Sequence, residues 1–224
     1  MSNFPAQKNV IDALLRGIQN AEKNFLFWTN NRLSLSSGPQ KILSIHVAQE
    51  LSFIKNPPEV FIDATVADIL RCSLPDRKAF KAFMEKNGLS QGTFGITLDE
   101  RFLHHNNNDS ISRVIISLHN GVRNAKVEYT HEIERICKMV HRETKEDSTL
   151  DYGVFAFYAD ISDAARKKLS KRLPEIIESF DAVVARYPSL SARLVSVPIH
   201  TVEDVGEWMA GCYVIEFMPE NLSK

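Results

Sequence analysis

The chain has 224 residues, 44% of them apolar, which is enough for an ordinary packed core and too apolar for a disordered segment. Its 27 basic and 28 acidic residues leave a formal charge of -1, which excludes the global basic footprint of many nucleic-acid binders and confines any phosphate contact to a local patch. No apolar run approaches the roughly 20 residues that span a bilayer, and the opening MSNFPAQKNV lacks the apolar centre of a secretory signal, so the expectation is a cytoplasmic protein without a membrane partner.

Residues 6–23 place Val10, Ile11, Leu14, Leu15, Ile18 and Ala21 at helical spacing behind Pro5, predicting an amphipathic first helix. FLFWT, the pair Asn30-Asn31 and RLSLS then read as a hairpin, because asparagine tolerates the positive φ of a tight turn. Gly38-Pro39 breaks the chain before a second helix, in which Ile42, Leu43, Ile45, Val47, Ala48, Leu51 and Ile54 are apolar and Gln49, Glu50 and Ser52 polar. After Pro57-Pro58, Val60, Ile62, Ala64 and Val66 alternate with Phe61, Asp63 and Thr65 as in a half-buried strand. A short helix near 75–86, a strand in TFGITL and an exposed polar loop over 104–109 follow.

An apolar strand at 112–116, the turn dipeptide Asn120-Gly121 and a second strand over 125–130 ending near Glu128 predict another hairpin, with an amphipathic helix behind it. Residues 152–158 are almost continuously apolar or aromatic, which suits a buried strand. Asp160 or Ser162 is then expected to cap a long helical stretch with Leu169, Leu173, Ile176, Ile177, Phe180, Val184 and Tyr187 on one stripe; Pro174 should kink or split it, and Pro188 ends it. Two last strands, around 192–199 and 211–217, flank a short segment holding Trp208. The sum is a mixed α/β (α+β) protein, a hairpin-rich sheet covered by helices, read as one domain over 1–224 with 148–151 the only place for a subdivision.

Cys72, Cys137 and Cys212 are far apart and each close to apolar residues, so they read as buried free thiols rather than disulfides or a zinc cluster, with a reactive thiol as the alternative. His104 and His105 are adjacent in a polar loop and point different ways, which favours solvation over metal binding. His131 has Arg135 one turn on, where a second ligand would be needed, and reads as a cap or surface residue; His46, among apolar helix positions, reads as a core histidine. Arg166, Lys167, Lys168, Lys171 and Arg172 put five cations in seven residues, a local patch able to engage the phosphates of DNA or RNA; the competing reading is the solvated outer face of a helix. No Gly-rich phosphate loop, Ser-centred nucleophile elbow or CxxC pair is present, which disfavours nucleotide hydrolysis, acyl transfer and zinc fingers.

The succession Ser112-Arg113-Val114-Ile115-Ile116, Asn120-Gly121, then Ala125-Lys126-Val127-Glu128-Tyr129-Thr130 and a helix resembles the metal-binding half of the PD-(D/E)XK restriction-endonuclease-like family, over residues 40–145. That resemblance implies a restriction-endonuclease-like core in which acidic oxygens converge on Mg²⁺. Glu128 at the strand end, Glu50 as a helix acid and Asp109 upstream are then the candidate catalytic and metal-binding residues. Two departures stand: Ile115 occupies the place of the family's metal-binding Asp, and Thr130 replaces the lysine two residues after the strand-end acid. The other reading of Glu128 is a solvated carboxylate paired with Lys126 or Arg123. The expectation is therefore a nucleic-acid-associated or prokaryotic defence-type protein whose nuclease-like core is silent and which acts by binding or assembly. Two alternatives stay open. One is a structural or adaptor subunit that uses Trp28 or Trp208 in a protein interface or in self-association; the other is an active Mg²⁺-dependent nuclease built on Glu50, Asp109 and Glu128.

Overall fold

A computed structural model describes residues 4–100 and 110–218. The chain opens with α1 (Gln7–Trp28), whose buried residues Val10, Leu14, Ile18, Ala21 and Phe25 recur at helical spacing. The hairpin expected at FLFWT is absent, because Phe25 extends that stripe and the helix runs on through Trp28. Asn30 and Asn31 do take positive φ, 53° and 58°. They close a helix instead, with the Asn31 N–H donating to the Leu26 carbonyl at 2.8 Å; left-handed backbone serves helix ends as well as hairpin turns.

A 3-10 turn at Leu35–Ser37 leads into α2 (Gln40–Ser52), β1 (Glu59–Thr65) and α3 (Val66–Ser73). A second 3-10 turn, Arg77–Ala79, runs into α4 (Phe80–Lys86), and β2 (Thr93–Glu100) and β3 (Ile111–Asn120) follow. Then come α5 (Val127–Val140), β4 (Tyr152–Ser162), α6 (Leu169–Val184), β5 (Leu190–Ser196), β6 (His200–Val202) and β7 (Gly206–Phe217).

One seven-stranded sheet joins them in the order β1-β2-β3-β4-β7-β5, with β6 also paired to β7. Every pairing is antiparallel except β3 with β4, which run parallel from Val114 opposite Tyr152 to Asn120 opposite Tyr158. A parallel pair needs a crossover, and α5 supplies it. The hairpin predicted at Asn120-Gly121 is therefore corrected: residues 125–130 form no strand, and Glu128 lies in the first turn of α5. Tyr129, Ile133, Ile136, Cys137 and Val140 are buried at helical spacing, and that stripe outweighs the β-branched and aromatic character of 127–130. Gly121, at φ 77°, turns the chain out of β3 and donates its N–H to the Tyr158 carbonyl at 3.0 Å.

Helices cover both faces of the sheet, so the central strand β4 is buried along almost its whole length. On one face α1 and α2 pack around Leu14, Val47, Ile116, Val154 and Cys212; on the other α3, α5 and α6 pack around Ile69, Ile136, Phe155, Phe180 and Tyr213. Gly17 sets the closeness of α1 to α2, since a Cβ there would stand 2.6 Å from Val47 Cα. The result is the mixed α+β class that the patterning indicates, as three layers with the sheet in the middle. In α6 the helix continues past Pro174 rather than splitting. Pro174 lies in its second turn and removes one N–H, whose partner would be the Ser170 carbonyl, and both residues face water. Trp208 belongs to β7 rather than to a connecting segment. Cys137 and Cys212 are buried and Cys72 is half-buried; burial pushes the Cys137 thiol up to about 12, which suppresses its thiolate. Among the described residues no helix is long and apolar enough to cross a membrane.

Candidate functional site

Glu50 sits on α2 and Glu128 on α5, helices that cover opposite faces of the sheet, so the sheet separates the two carboxylates. Glu50 ties α2 to α1, accepting from Arg16 Nε at 3.0 Å and Asn20 Nδ2 at 2.9 Å. Glu128 is exposed and pairs with Lys126 Nζ at 3.1 Å. Asp109 falls outside the described residues, as do His104 and His105. Among the described residues, no three His, Cys, Asp or Glu side chains converge as metal ligands. His46 is half-buried, its Nε2 3.3 Å from Asn24 Nδ2, and His131 is exposed on α5.

The basic run does not lie on a single helix face. Only Lys171 and Arg172 belong to α6; Arg166, Lys167 and Lys168 precede it on the turn leaving β4. Arg172 Nη1 donates to the Arg123 carbonyl at 3.3 Å and to Asn124 Oδ1, which fastens this turn against the segment leaving β3. Because β3 and β4 are parallel, both segments emerge at the same edge of the sheet, where α5 and α6 also begin. Arg123 and Lys126 thereby join the run at an edge to which two helix N-termini add partial positive charge. Lys167 is bonded to Glu175, Lys168 pairs with Asp163 at 3.3 Å, Lys126 with Glu128 at 3.1 Å and Arg123 with Asp160 at 2.9 Å, which neutralises four of these seven cations. Arg166 and Lys171 are exposed and hold no ion pair among the described residues.

Beneath this edge lies a carboxylate that sequence reasoning treated as a helix cap. Asp160 is in β4, 4% exposed. It receives Arg123 through Nε and Nη2, both at 2.9 Å, and the hydroxyls of Ser34 and Ser36 at 2.7 and 2.6 Å. Burial pushes this carboxyl up, but these donors outweigh it and hold Asp160 below its ordinary value. Fully buried Glu22, on α1, accepts the Leu35 N–H at 2.7 Å. Its carboxyl is pushed up to about 7 by burial, against the opposing influence of the nearby Tyr158 hydroxyl and the Leu35 N–H, and the charge of Asp160 adds to the rise. The two acids lock the Leu35–Ser37 turn onto the strand ends and hold Arg123 in place.

A second polar cluster closes the end of β3. Ser117 Oγ donates to Glu132 Oε2 at 2.9 Å and lies 3.1 Å from His119 Nε2, while Glu132 meets Arg135 at 3.0 Å. His119 stacks on Phe155 with centroids 4.4 Å apart, and its pKa is lowered to about 4, chiefly by burial. These are triad residue types with the wrong wiring. The Ser117 proton goes to Glu132, so His119 is left to donate to the hydroxyl rather than take its proton, and Ser117 is only 5% exposed. The assignment of 120–121 to a hairpin hid this cluster, although Ser117 and His119, two apart on a strand and followed by an acid-bearing helix, were the available signal.

Comparison with family models, curated proteins and solved structures finds no match to this chain.

Proposed function

We propose that this protein associates with nucleic acid through the basic edge where β3 and β4 end, and that its nuclease-like core is silent. The observation that carries the reading is the pair of hydrogen bonds from Arg172 Nη1 to Asn124 and the Arg123 carbonyl, which gathers cations from two segments of a nearly neutral chain. Arg166 and Lys171 can meet phosphates there without surrendering an ion pair. The nuclease-like part of the reading rests on element order. From α2 to β4 the chain runs helix, strand β1, the two short helices α3 and α4, the antiparallel strands β2 and β3, helix α5 and then β4 parallel to β3, with the hairpin at β2 and β3 instead of at Asn120-Gly121. Near the end of its second strand this hairpin carries Ser117 and His119, uncharged groups where a metal nuclease needs carboxylates and a lysine. A prokaryotic defence role is the context that the same resemblance implies.

The test is fluorescence anisotropy of short labelled DNA and RNA between about 50 and 200 mM salt. Binding should weaken with salt, and the double reversal Arg166→Glu with Lys171→Glu should weaken it about tenfold or more at unchanged melting temperature. Absence of binding at low salt would sink the reading. Cleavage in Mg²⁺ or Mn²⁺ that disappears in Glu128→Ala would instead restore an active site.

A protein-interaction role is the second reading, favoured by Phe27 and Trp28 at the end of α1, which are 82% and 61% exposed. Trp208 fits that role less well because it is stacked on Tyr158 and His200. Self-association that grows with concentration, without nucleic-acid binding, would move the weight here.

A further inference from the structure

A cavity of about 260 Å³ opens between α3 and the strands β1, β2 and β3, just below the about 300–1,000 Å³ of drug-sized ligand sites. Its walls are apolar, from Phe61, Ile62 and Ile69, and Thr97 and Asp99 bring polar groups to it from β2. Both are almost wholly buried, 1% and 3% exposed, yet Thr97 Oγ1 and Asp99 Oδ1 have no hydrogen-bond partner among the described residues. The other Asp99 oxygen, Oδ2, accepts the Ser110 hydroxyl, and the Ser112 hydroxyl also lies beside this carboxylate. The register of β2 against β3 shifts between Leu98 and Asp99, and such an irregularity commonly re-aims a side chain. A buried carboxylate oxygen without a donor is costly, so it marks a place where a ligand's donors would be rewarded.

The charge around the cavity sets the ligand's sign. No Lys or Arg lines it among the described residues, and its second acid, Asp68, is already committed to Arg71 at 2.6 Å. An anion would be repelled, and a neutral ligand without N–H or O–H groups would leave Asp99 Oδ1 orphaned. A hard metal ion wants several oxygen ligands, and one carboxylate beside hydroxyls between apolar walls is a poor cage. We propose that this cavity binds a small organic cation, an alkyl- or arylalkylammonium of a few carbons. Its N–H groups donate to Asp99 Oδ1 and Thr97 Oγ1, and its hydrocarbon lies along Phe61, Ile62 and Ile69. The site shares no residue with the basic edge, so it stands or falls independently of nucleic-acid association.

The test is an amide-resolved NMR titration of the full chain with n-butylammonium and phenethylammonium chloride, with n-butanol as the neutral isostere and sodium chloride as the ionic-strength control. Saturable shifts at Ile69, Thr97 and Asp99 are expected with the amines, with affinity about tenfold lower for butanol and for Asp99→Asn. If Asp99→Asn fails to fold, Thr97→Val replaces it, and the preference for amine over butanol in the parent chain decides. No saturable shift with either amine, equal binding of butanol, or full affinity in a folded Asp99→Asn would each overturn the proposal.

Discussion

Arg123 grips Asp160 with two hydrogen bonds of 2.9 Å, one from Nε and one from Nη2, although the residues lie 37 positions apart. With Ser34 and Ser36 on the same carboxylate, three distant segments meet at one buried charge. Asp160→Asn should cost about 2 kcal/mol at neutral pH, with the Arg123 share discounted because that side chain is 47% exposed and screened. A folded-state pKa held below the unfolded one means that this stability is present above the unfolded pKa and lost as pH falls through the folded one. Urea unfolding should give a lower midpoint at unchanged slope, and a difference that shrinks below about pH 4.

Glu22 carries the opposite sign. Its folded pKa of about 7 lies above the ordinary glutamate value of 4.5, so its contribution is fully present below the unfolded pKa and lost as pH rises toward and past 7. The parent chain should therefore lose on the order of 3 kcal/mol between about pH 5 and 8, and Glu22→Gln, which keeps an acceptor for the Leu35 N–H, should flatten that slope. Parallel slopes in the two proteins would refute the assignment.

His119 should stay neutral throughout the physiological range. With its pKa depressed to about 4, chiefly by burial beside Phe155, its Cε1 proton should not titrate between about pH 5 and 8 by NMR. Stability should fall by about 2 kcal/mol as pH drops from the unfolded value toward the folded one, where the unfolded chain binds the extra proton. His119→Phe keeps the stacking and should remove that part of the acid dependence.

Gly17→Ala sets helix propensity against packing. Alanine is better in a helix by about 1 kcal/mol, but its Cβ would meet the Val47 backbone at 2.6 Å, well inside the usual 3.5–4.0 Å carbon contact. Overpacking of this kind costs about 1–3 kcal/mol, so the net effect should be destabilising. A rise in melting temperature would mean that α2 can slide away from α1 at little cost.

Much of the secondary structure was legible from local pattern, because apolar spacing reports which face of an element is covered. The stripe from Val10 to Ala21, the strand β1, TFGITL as β2 and the unbroken apolar run of β4 all stand where periodicity put them, although β1 ends at Thr65 and leaves Ile62 exposed. The two hairpin assignments failed for one reason, that local signals were degenerate. Asn30-Asn31 and Asn120-Gly121 supply left-handed backbone, and that conformation ends a helix or feeds a crossover as readily as it makes a hairpin.

The sequence by itself determined most of the elements, their apolar faces and so the mixed α+β class. Tertiary structure alone decided which strand β3 would pair with, and choosing β4 sent 125–130 into α5 and placed Glu128 across the sheet from Glu50. It also brought Ser34, Ser36 and Arg123 to Asp160, Arg172 to Asn124, and the unpartnered oxygens of Thr97 and Asp99 to one cavity. The physical reason is range: periodicity is a local property of the chain, whereas strand partners and converging polar groups are chosen by hydrogen bonds and burial between segments that have no sequence proximity.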